Sequence, residues 1–397
     1  MLFDSFSDLC KDIWNEYFGM ILDARYKVES SGVPLYPRYI IFTKYDGFYS
    51  MELLGAEISP PKSLITKKRN GGDIHRFFDL FGGNKHKAIF ELGGGSGGFT
   101  GVCLAHPHDR DAVLARFPFI GLYESTLVRV DGDGSVFEFV DGFESVYIDQ
   151  CYLINSSGNL YRCKNILFMA IFNSSIKSSE VKGFFEKTLG TNKNEIMARG
   201  IFTVKAGFED VANISALQNV YITDGYRETL IGDILSSSPG ILRSAFDVLD
   251  FVYEPYLEWV EKPERSTDIA INPDFIMWRS DGTSIILDLK LAKVDKKRLV
   301  KGDRKRRRFV DYVVEGISQL SNYYEYFDFE GNRSFAYKKY GIRIESPQLI
   351  LVVGSMENLS ADEVNEAMRA YRDISIIDYD TLVSSFLKAD SGGAIAK

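Results

Sequence analysis

Hydrophobic and polar positions divide the chain into two textures. Between about residues 38 and 175, segments such as RYIIFTKYDGFYSMELL and VYIDQCYLINSSGNLYRCKNILFMAIF combine aromatic and β-branched residues with Asp-Gly and Ser-Gly turns. This pattern predicts strands joined by short turns. Apolar residues at helical spacing predict a helix over about residues 4–23. The first half is therefore expected to be β-rich.

After about residue 210, predicted helices alternate with strands. GYRETLIGDILSSSPGILRSAF predicts a helix that ends near Ser238-Pro239, because proline cannot continue it. FVDYVVEGISQLSNYYEYF predicts a long amphipathic helix, and QLILVVGS a buried strand. SADEVNEAMRAYRD predicts a helix with Ser360 as N-cap and Glu363 completing a capping box. ISIIDYDTLVSSFLK predicts a last strand and helix.

The length of 397 residues exceeds the size at which one hydrophobic core usually stops growing. We therefore expect a β-rich N-terminal domain over residues 1–205 and an α/β (α+β) domain over residues 206–390. The tail, residues 391–397, is expected to be loose.

Composition indicates an ordinary globular protein, with 45% hydrophobic and 26% charged residues. The four cysteines lie far apart without a CxxC pair, and the four histidines are scattered, which disfavours a zinc site. The first residues lack a basic segment ahead of an apolar one, and the apolar runs are too short to span a bilayer. These features predict a cytoplasmic protein with no membrane partner.

Positive charge is concentrated in one segment of an acidic chain. Residues 290–308 contain eleven Lys or Arg and two acids, a net charge of +9 in a chain of net charge −8. Such a run is often only a solvated loop. Its place next to Lys290 favours contact with a phosphate backbone. The predicted DNA contacts are Lys293, Lys296, Lys297, Arg298, Lys301, Arg304, Lys305, Arg306, Arg307 and Arg308.

A glycine-rich stretch offers a minor alternative. AIFELGGGSGGFTG, residues 88–101, contains Gly93-x-Gly95-x-x-Gly98 after an apolar strand and resembles the first motif of Rossmann-like methyltransferases that bind S-adenosylmethionine. That interpretation needs a helix directly after the loop and an acid at the end of the next strand, for which Glu124 is the candidate. The following VCLAHPHDRDAVLARF has a proline between two histidines instead, so a glycine-rich hairpin loop is favoured.

Charged residues interrupt an otherwise apolar hairpin in INPDFIMWRSDGTSIILDLKLA, residues 271–292. Asp288 and Lys290 are two apart on a strand and so leave the same face. A three-residue loop, 280–282, with Gly282 at positive φ would place Asp274 opposite Asp288. A two-residue loop would place Asp274 opposite Leu289 instead.

Burying two carboxylates and an ammonium group is costly unless they pair or hold a metal. Neighbouring carboxylates repel, and Mg²⁺ (or Mn²⁺) accepts such hard oxygen ligands. A bound metal lowers the pKa of its water, and Lys290 could orient or deprotonate that water or stabilise the transition state. Asp274 and Asp288 as metal ligands with Lys290 therefore suit phosphodiester hydrolysis. An ordinary cross-strand ion pair is the structural alternative.

The P-D…D-x-K hairpin resembles the PD-(D/E)xK nuclease superfamily, which implies a restriction-endonuclease-like mixed sheet flanked by helices. The resemblance further implies an acid on the preceding helix, for which Glu228 is the first candidate and Asp233 the second. It also implies a Gln-x-x-x-Tyr on the following helix, here Gln319 as a catalytic residue and Tyr323 as a nucleic-acid contact, which lie on one helix face. An exposed helix-start acid and a packing aromatic are the alternatives for Glu228 and Tyr323.

The order of elements over about residues 220–390 resembles the Shedu family of bacterial anti-phage defence proteins. This implies a nuclease that acts on invading DNA, usually as a homo-oligomer, with an N-terminal domain that regulates or senses. No zinc finger or clear helix-turn-helix is present, so low sequence specificity is expected. A nuclease-like module that binds nucleic acid without cleaving it is the principal alternative, ahead of a methyltransferase.

Overall fold

A computed structural model describes most of the chain. The described residues are 1–22, 33–55, 57–78, 90–92, 95–105, 127–129, 137–139, 141–157, 160–190, 198–204, 209–223, 226–263, 267–292, 298–303, 306–371 and 373–394. The chain divides into two compact units, Met1–Tyr226 and Arg227–Lys397. The sequence predicts the boundary after residue 205. The observed division instead places the helix Glu209–Tyr221 in the first unit.

The first unit is built on an eight-stranded sheet, as its β-rich sequence predicts. Its strand order is β4-β2-β3-β11-β10-β7-β8, and β6 also pairs with β10. The strands are β2 (Tyr39–Lys44), β3 (Phe48–Leu54), β4 (Ile65–Asn70), β6 (Gly95–Thr100), β7 (Cys103–Ala105), β8 (Leu127–Arg129), β10 (Phe143–Ser157) and β11 (Leu160–Asn173). Two further pairs are β1 (Val33–Leu35) with β12 (Phe202–Val204), and β5 (Phe90–Leu92) with β9 (Phe137–Phe139).

Four helices accompany these strands in the described part of the unit: α1 (Phe3–Leu22), α2 (His75–Phe78), α3 (Ser178–Phe185) and α4 (Glu209–Tyr221). A π-helical turn, Glu186–Gly190, extends α3. The predicted N-terminal helix is confirmed as α1. Its Trp14 is fully buried and packs edge-on against Phe168 of β11.

Helix α4 supplies polar side chains to the backbone of β11. On the side away from β10, β11 pairs with β3 only from Phe168 onward. Ahead of that point, Gln218 accepts a hydrogen bond from the Cys163 N–H at 3.1 Å, and Ser215 donates one to the Cys163 carbonyl at 3.2 Å. Asn219 donates to the Asn165 carbonyl. These side chains satisfy backbone groups that would otherwise be buried without partners.

The glycine-rich stretch does not form a cofactor loop where it is described. Residues Gly95–Thr100 form β6, which runs parallel to β10. Gly98 lies against the ring of Tyr147, where an added Cβ would come within 2.1 Å of ring carbons. Close packing against an aromatic ring accounts for this glycine, so the favoured hairpin loop is wrong here as well. Glu124 lies outside the described residues.

The second unit has a mixed sheet flanked by helices. Its strand order is β13-β16-β17-β20-β21, antiparallel up to β17 and parallel from β17 to β21. The strands are β13 (Asp250–Tyr253), β16 (Phe275–Trp278), β17 (Ser284–Leu289), β20 (Gln348–Val352) and β21 (Ile374–Ile377). Short ribbons pair β14 (Leu257–Glu258) with β15 (Ala270–Ile271), and β18 (Val300–Lys301) with β19 (Arg308–Phe309). The predicted fold class is confirmed.

The helices of this unit are α5 (Glu228–Ser237), α6 (Pro239–Phe246), α7 (Asp311–Asp328), α8 (Glu330–Tyr340), α9 (Ala361–Ala367) and α10 (Tyr379–Ala394). A 3₁₀ turn, Met368–Ala370, follows α9. The predicted stop at Ser238-Pro239 is confirmed, because Pro239 begins a new helix. Within the described ranges, no helix has the length and apolarity that a membrane span requires.

The predicted capping box does not form. Ser360 is the N-cap of α9, but its side chain makes no cap hydrogen bond. The Glu363 side chain faces Arg298 and Arg307 at 3.7 Å instead of closing the box. Residues 391–394, part of the tail expected to be loose, are the last residues of α10. Residues 395–397 lie outside the described part.

We predict that Gln218→Ala weakens the region where α4 meets β11. The Cys163 N–H would lose its acceptor in a buried place, which typically costs about 1–3 kcal/mol. Hydrogen–deuterium exchange should accelerate over residues 160–166, and the control Asn213→Ala on the same helix should leave it unchanged. Unaltered exchange in Gln218→Ala would contradict this account of the helix.

Candidate active site

The hairpin of β16 and β17 has the predicted register. Phe275 pairs with Leu287 and Trp278 with Ser284, leaving a loop centred on residues 280–282. Gly282 has φ +85°, the left-handed conformation that glycine tolerates. One step beyond the last paired residues, this register sets Asp274 opposite Asp288. The three-residue loop is therefore confirmed.

One buried carboxylate, one partly buried carboxylate and one buried ammonium group lie at the open end of this hairpin. Asp288 is 3% exposed and Lys290 is 8% exposed. The Lys290 Nζ lies 2.9 Å from Asp288 Oδ2. Asp274 Oδ2 accepts a hydrogen bond from the Leu289 N–H at 2.6 Å, which holds its carboxylate beside β17. The three predicted central residues are thus near one another.

Glu228, the first residue of α5, brings a third carboxylate to the cluster. Its Oε2 lies 3.8 Å from Lys290 Nζ. Its Oε1 accepts hydrogen bonds from the Leu291 N–H at 3.2 Å and from the Tyr312 hydroxyl at 2.8 Å. Asp233, the second candidate, accepts instead from the Tyr253 hydroxyl at 3.2 Å. Of these two acids, Glu228 is the one whose described contacts include Lys290.

Helix α7 presents one face to the cluster. A Cβ added at Gly316 would lie 3.3 Å from Lys290 Cε, so the lysine stem passes directly over this glycine. Gln319 follows three residues later, and its buried Oε1 has no hydrogen-bond partner. Tyr323 follows at seven residues, and its hydroxyl donates to the Asn272 carbonyl at 3.4 Å. Tyr312, four residues before Gly316, continues the same face.

Sequence reasoning missed Tyr312. The available signal was its spacing, because Tyr312 lies seven residues before Gln319 and therefore on the same side of the predicted helix. The amphipathic pattern alone gives no reason to distinguish this tyrosine from the others on the helix.

Burial and mutual repulsion shape the charges. Burial, followed by repulsion from Asp288, raises the pKa of Asp274 to about 7. Burial also raises the pKa of Asp288, although Lys290 opposes the shift. Burial lowers the pKa of Lys290, but attraction to Asp288 and Glu228 outweighs it and raises that pKa overall. Lys290 is therefore protonated at neutral pH.

The donor set fits a hard divalent cation with few protein ligands. Asp288 Oδ2 is buried and, although it has the Lys290 ammonium nearby, takes part in no hydrogen bond of regular geometry. Among the described residues, no three His, Cys, Asp or Glu side chains group closely enough to hold a metal by themselves. Mg²⁺ commonly uses one or two protein carboxylates and completes its shell with water and phosphate. Asp274 and Asp288 match that requirement.

The basic segment forms a short ribbon where it is described. Lys301 pairs with Arg308 across β18 and β19, and Val300 and Phe309 are buried in the core. Arg306 and Arg308 are exposed. Arg307 is held 3.1 Å from Glu366 on α9, so part of its charge is already compensated.

Two further basic residues of the segment lie near carboxylates. Arg298 lies 3.7 Å from Glu363, and Lys301 lies 4.0 Å from Asp311. The predicted contacts outside the described residues are Lys293, Lys296, Lys297, Arg304 and Lys305.

The second unit is a mixed sheet flanked by helices, with acids and a lysine at the end of its central hairpin. This is the restriction-endonuclease-like arrangement that the sequence predicts. Residues 212–383 match the family described as Shedu protein SduA, C-terminal. The resemblance of the C-terminal half to the Shedu family is therefore confirmed. No curated protein matches the chain.

We predict that Asp274→Asn stabilises the metal-free protein at alkaline pH. The raised pKa means that the fold favours the protonated carboxyl, so the wild type gains stability as pH falls through about 7 toward 4. Above pH 8 the variant should have the larger free energy of unfolding, by about 1.4 kcal/mol for each unit of the shift.

Urea denaturation in EDTA at pH 5 and pH 8.5 would measure this difference. Asp250→Asn, an exposed position in the same sheet, serves as the matched control. If the difference in free energy of unfolding between the wild type and Asp274→Asn were the same at both pH values, the raised pKa of Asp274 would be refuted.

Proposed function

We propose that this protein is a metal-dependent DNA endonuclease of low sequence specificity that acts in bacterial defence against phage. The observation that carries the proposal is the cluster at the hairpin end, in which Lys290 Nζ lies 2.9 Å from Asp288 and 3.8 Å from Glu228. Asp274 stands opposite Asp288 in the hairpin register. Such a cluster is expensive to bury unless it serves chemistry.

Asp274 and Asp288 would hold Mg²⁺ or Mn²⁺. When bound, the metal would activate water and offset charge on the phosphate. The two carboxylates would then lose their mutual repulsion, and Asp274 would ionise.

Lys290 would stabilise negative charge in the transition state. Its ammonium group lies 2.9 Å from Asp288, next to the proposed metal ligands. Its natural role is attraction to a scissile phosphate, where charge develops during hydrolysis.

Gln319 would orient the attacking water. Its buried Oε1 has no partner within the protein, so it is available to accept a hydrogen bond from a water molecule. Tyr323, on the same face of α7, would hold the backbone of Asn272 at the edge of the site through its hydrogen bond to the Asn272 carbonyl.

The basic ribbon would hold the DNA backbone near this cluster. Arg306 and Arg308 are exposed on a hairpin anchored in the core by Val300 and Phe309. Contacts of this kind supply affinity without reading sequence. The defence role, the homo-oligomer and the regulatory or sensing role of the β-rich unit are proposed on the resemblance to the Shedu family.

The decisive test compares Asp288→Asn with the wild type on supercoiled, linear, nicked and single-stranded DNA in Mg²⁺, Mn²⁺ and EDTA. Wild-type protein should cleave in the presence of metal, and Asp288→Asn should lose at least about a hundredfold in rate, because one ligand and the Lys290 partner are lost together. Asp250→Asn should cleave normally. DNA binding by the wild type without cleavage in any metal would favour the binding-only alternative.

We predict that Arg306→Gln/Arg308→Gln weakens DNA binding uniformly across sequences. The slope of log affinity against log salt should fall by about two, one for each lost phosphate contact. Fluorescence anisotropy at salt concentrations from about 50 to 200 mM would measure this slope. Lys338→Gln/Arg369→Gln removes equal charge from exposed positions elsewhere in the unit and should change the slope less. Equal slopes for both double variants would exclude the ribbon as the DNA contact.

A further inference from the structure

We infer that Tyr312 is a positioning residue that holds Glu228 against Lys290 and so sets where the lysine ammonium lies during catalysis. The inference deepens the proposed nuclease function and rests on it. It assigns a role to a residue that neither the hairpin motif nor the Gln-x-x-x-Tyr pattern contains.

The two oxygens of Glu228 have different surroundings. Oε1 accepts from the Tyr312 hydroxyl at 2.8 Å and from the Leu291 N–H at 3.2 Å. Oε2 lies 3.8 Å from Lys290 Nζ. Two donors therefore fix one oxygen, and the geometry of the carboxylate leaves the other directed at the lysine.

The location of Glu228 makes such support necessary. It is the first residue of α5, and its side chain is about one-third exposed. A glutamate there can adopt several rotamers, and ordering it costs side-chain entropy. Hydrogen bonds to charged groups contribute more than neutral ones, so the tyrosine hydroxyl can select one rotamer.

Lys290 sits between two acids, and their balance decides where its ammonium points. Asp288 is at 2.9 Å and Glu228 at 3.8 Å. If Glu228 turned away, Lys290 would pair with Asp288 alone. The ammonium group would then be held by one carboxylate instead of lying between two, so its position relative to the substrate would change.

Other tyrosine hydroxyls at the site act on the backbone. Tyr379 donates to the Lys290 carbonyl at 2.8 Å, and Tyr323 donates to the Asn272 carbonyl. Tyr312 also reaches the Leu291 carbonyl, at 3.4 Å. The Tyr312 hydroxyl, in contrast, donates to a carboxylate of the charged cluster, that of Glu228.

The experiment is a double-mutant cycle with Tyr312→Phe and Glu228→Gln, using single-turnover cleavage of plasmid DNA and urea denaturation as separate readouts. Tyr312→Phe should lower the rate constant about tenfold or more, with DNA affinity unchanged, because it removes one hydrogen bond to a charged group. In the Glu228→Gln background, Tyr312→Phe should have little further effect. The denaturation cycle should show coupling between the two positions.

Tyr326→Phe is the matched control, because Tyr326 lies on the same helix and its hydroxyl donates to the Glu258 carbonyl. It should leave the cleavage rate unchanged. Independent effects of Tyr312→Phe and Glu228→Gln on cleavage, or loss of DNA affinity without loss of rate, would overturn the inference. A wild-type protein that cleaves no DNA would overturn the proposed function and this inference together, whereas a cleaving wild type with no coupling would overturn only the latter.

Discussion

Burial of like charges at the end of one hairpin is the constraint on which the second unit depends. Asp274 and Asp288 stand opposite each other near the end of β17, a strand that is buried along its whole length and mostly apolar. Burial limits how far water can screen their repulsion, and Lys290 offsets only part of it. The Leu289 N–H holds one oxygen of Asp274, and the Lys290 ammonium group lies 2.9 Å from one oxygen of Asp288, so each carboxylate has one compensating neighbour.

Hydrogen bonds from other parts of the unit hold the backbone just after β17, in addition to the contacts of the charged side chains. The carbonyls of Lys290 and Ala292 accept hydrogen bonds from Tyr379 and Asn358, at 2.8 and 2.9 Å. The Lys290 N–H donates to the Val352 carbonyl at 2.8 Å. Consecutive residues leaving the strand are therefore tied to the following strand and to other parts of the unit. This fixation restricts the positions that the lysine side chain can take within the cluster.

Short-range features of the sequence were enough to predict much of this arrangement. Contacts between residues that are far apart in the sequence could not be predicted. The register followed from Gly282, because a three-residue loop with a glycine at positive φ determines which residues pair. The grouping of Asp274, Asp288 and Lys290 followed from strand periodicity. The predicted capping box at Ser360 does not form, because arginines distant in sequence attract the Glu363 side chain. The glycines before Thr100 were misjudged because the Tyr147 ring that packs on Gly98 cannot be located from sequence. Tyr312 was missed for the same reason, since its partner is brought to it by a separate helix.

The polar face of α4 has a consequence for strand addition at this edge of β11. A strand with unpaired amides is a template on which another chain can add, leading to swapping or aggregation. Ser215, Gln218 and Asn219 occupy those amides and carbonyls on β11 with side chains, which cannot propagate a ladder. The helix thus closes the sheet without extending it, and leaves the long hairpin of β10 and β11 less able to recruit a further strand at that position.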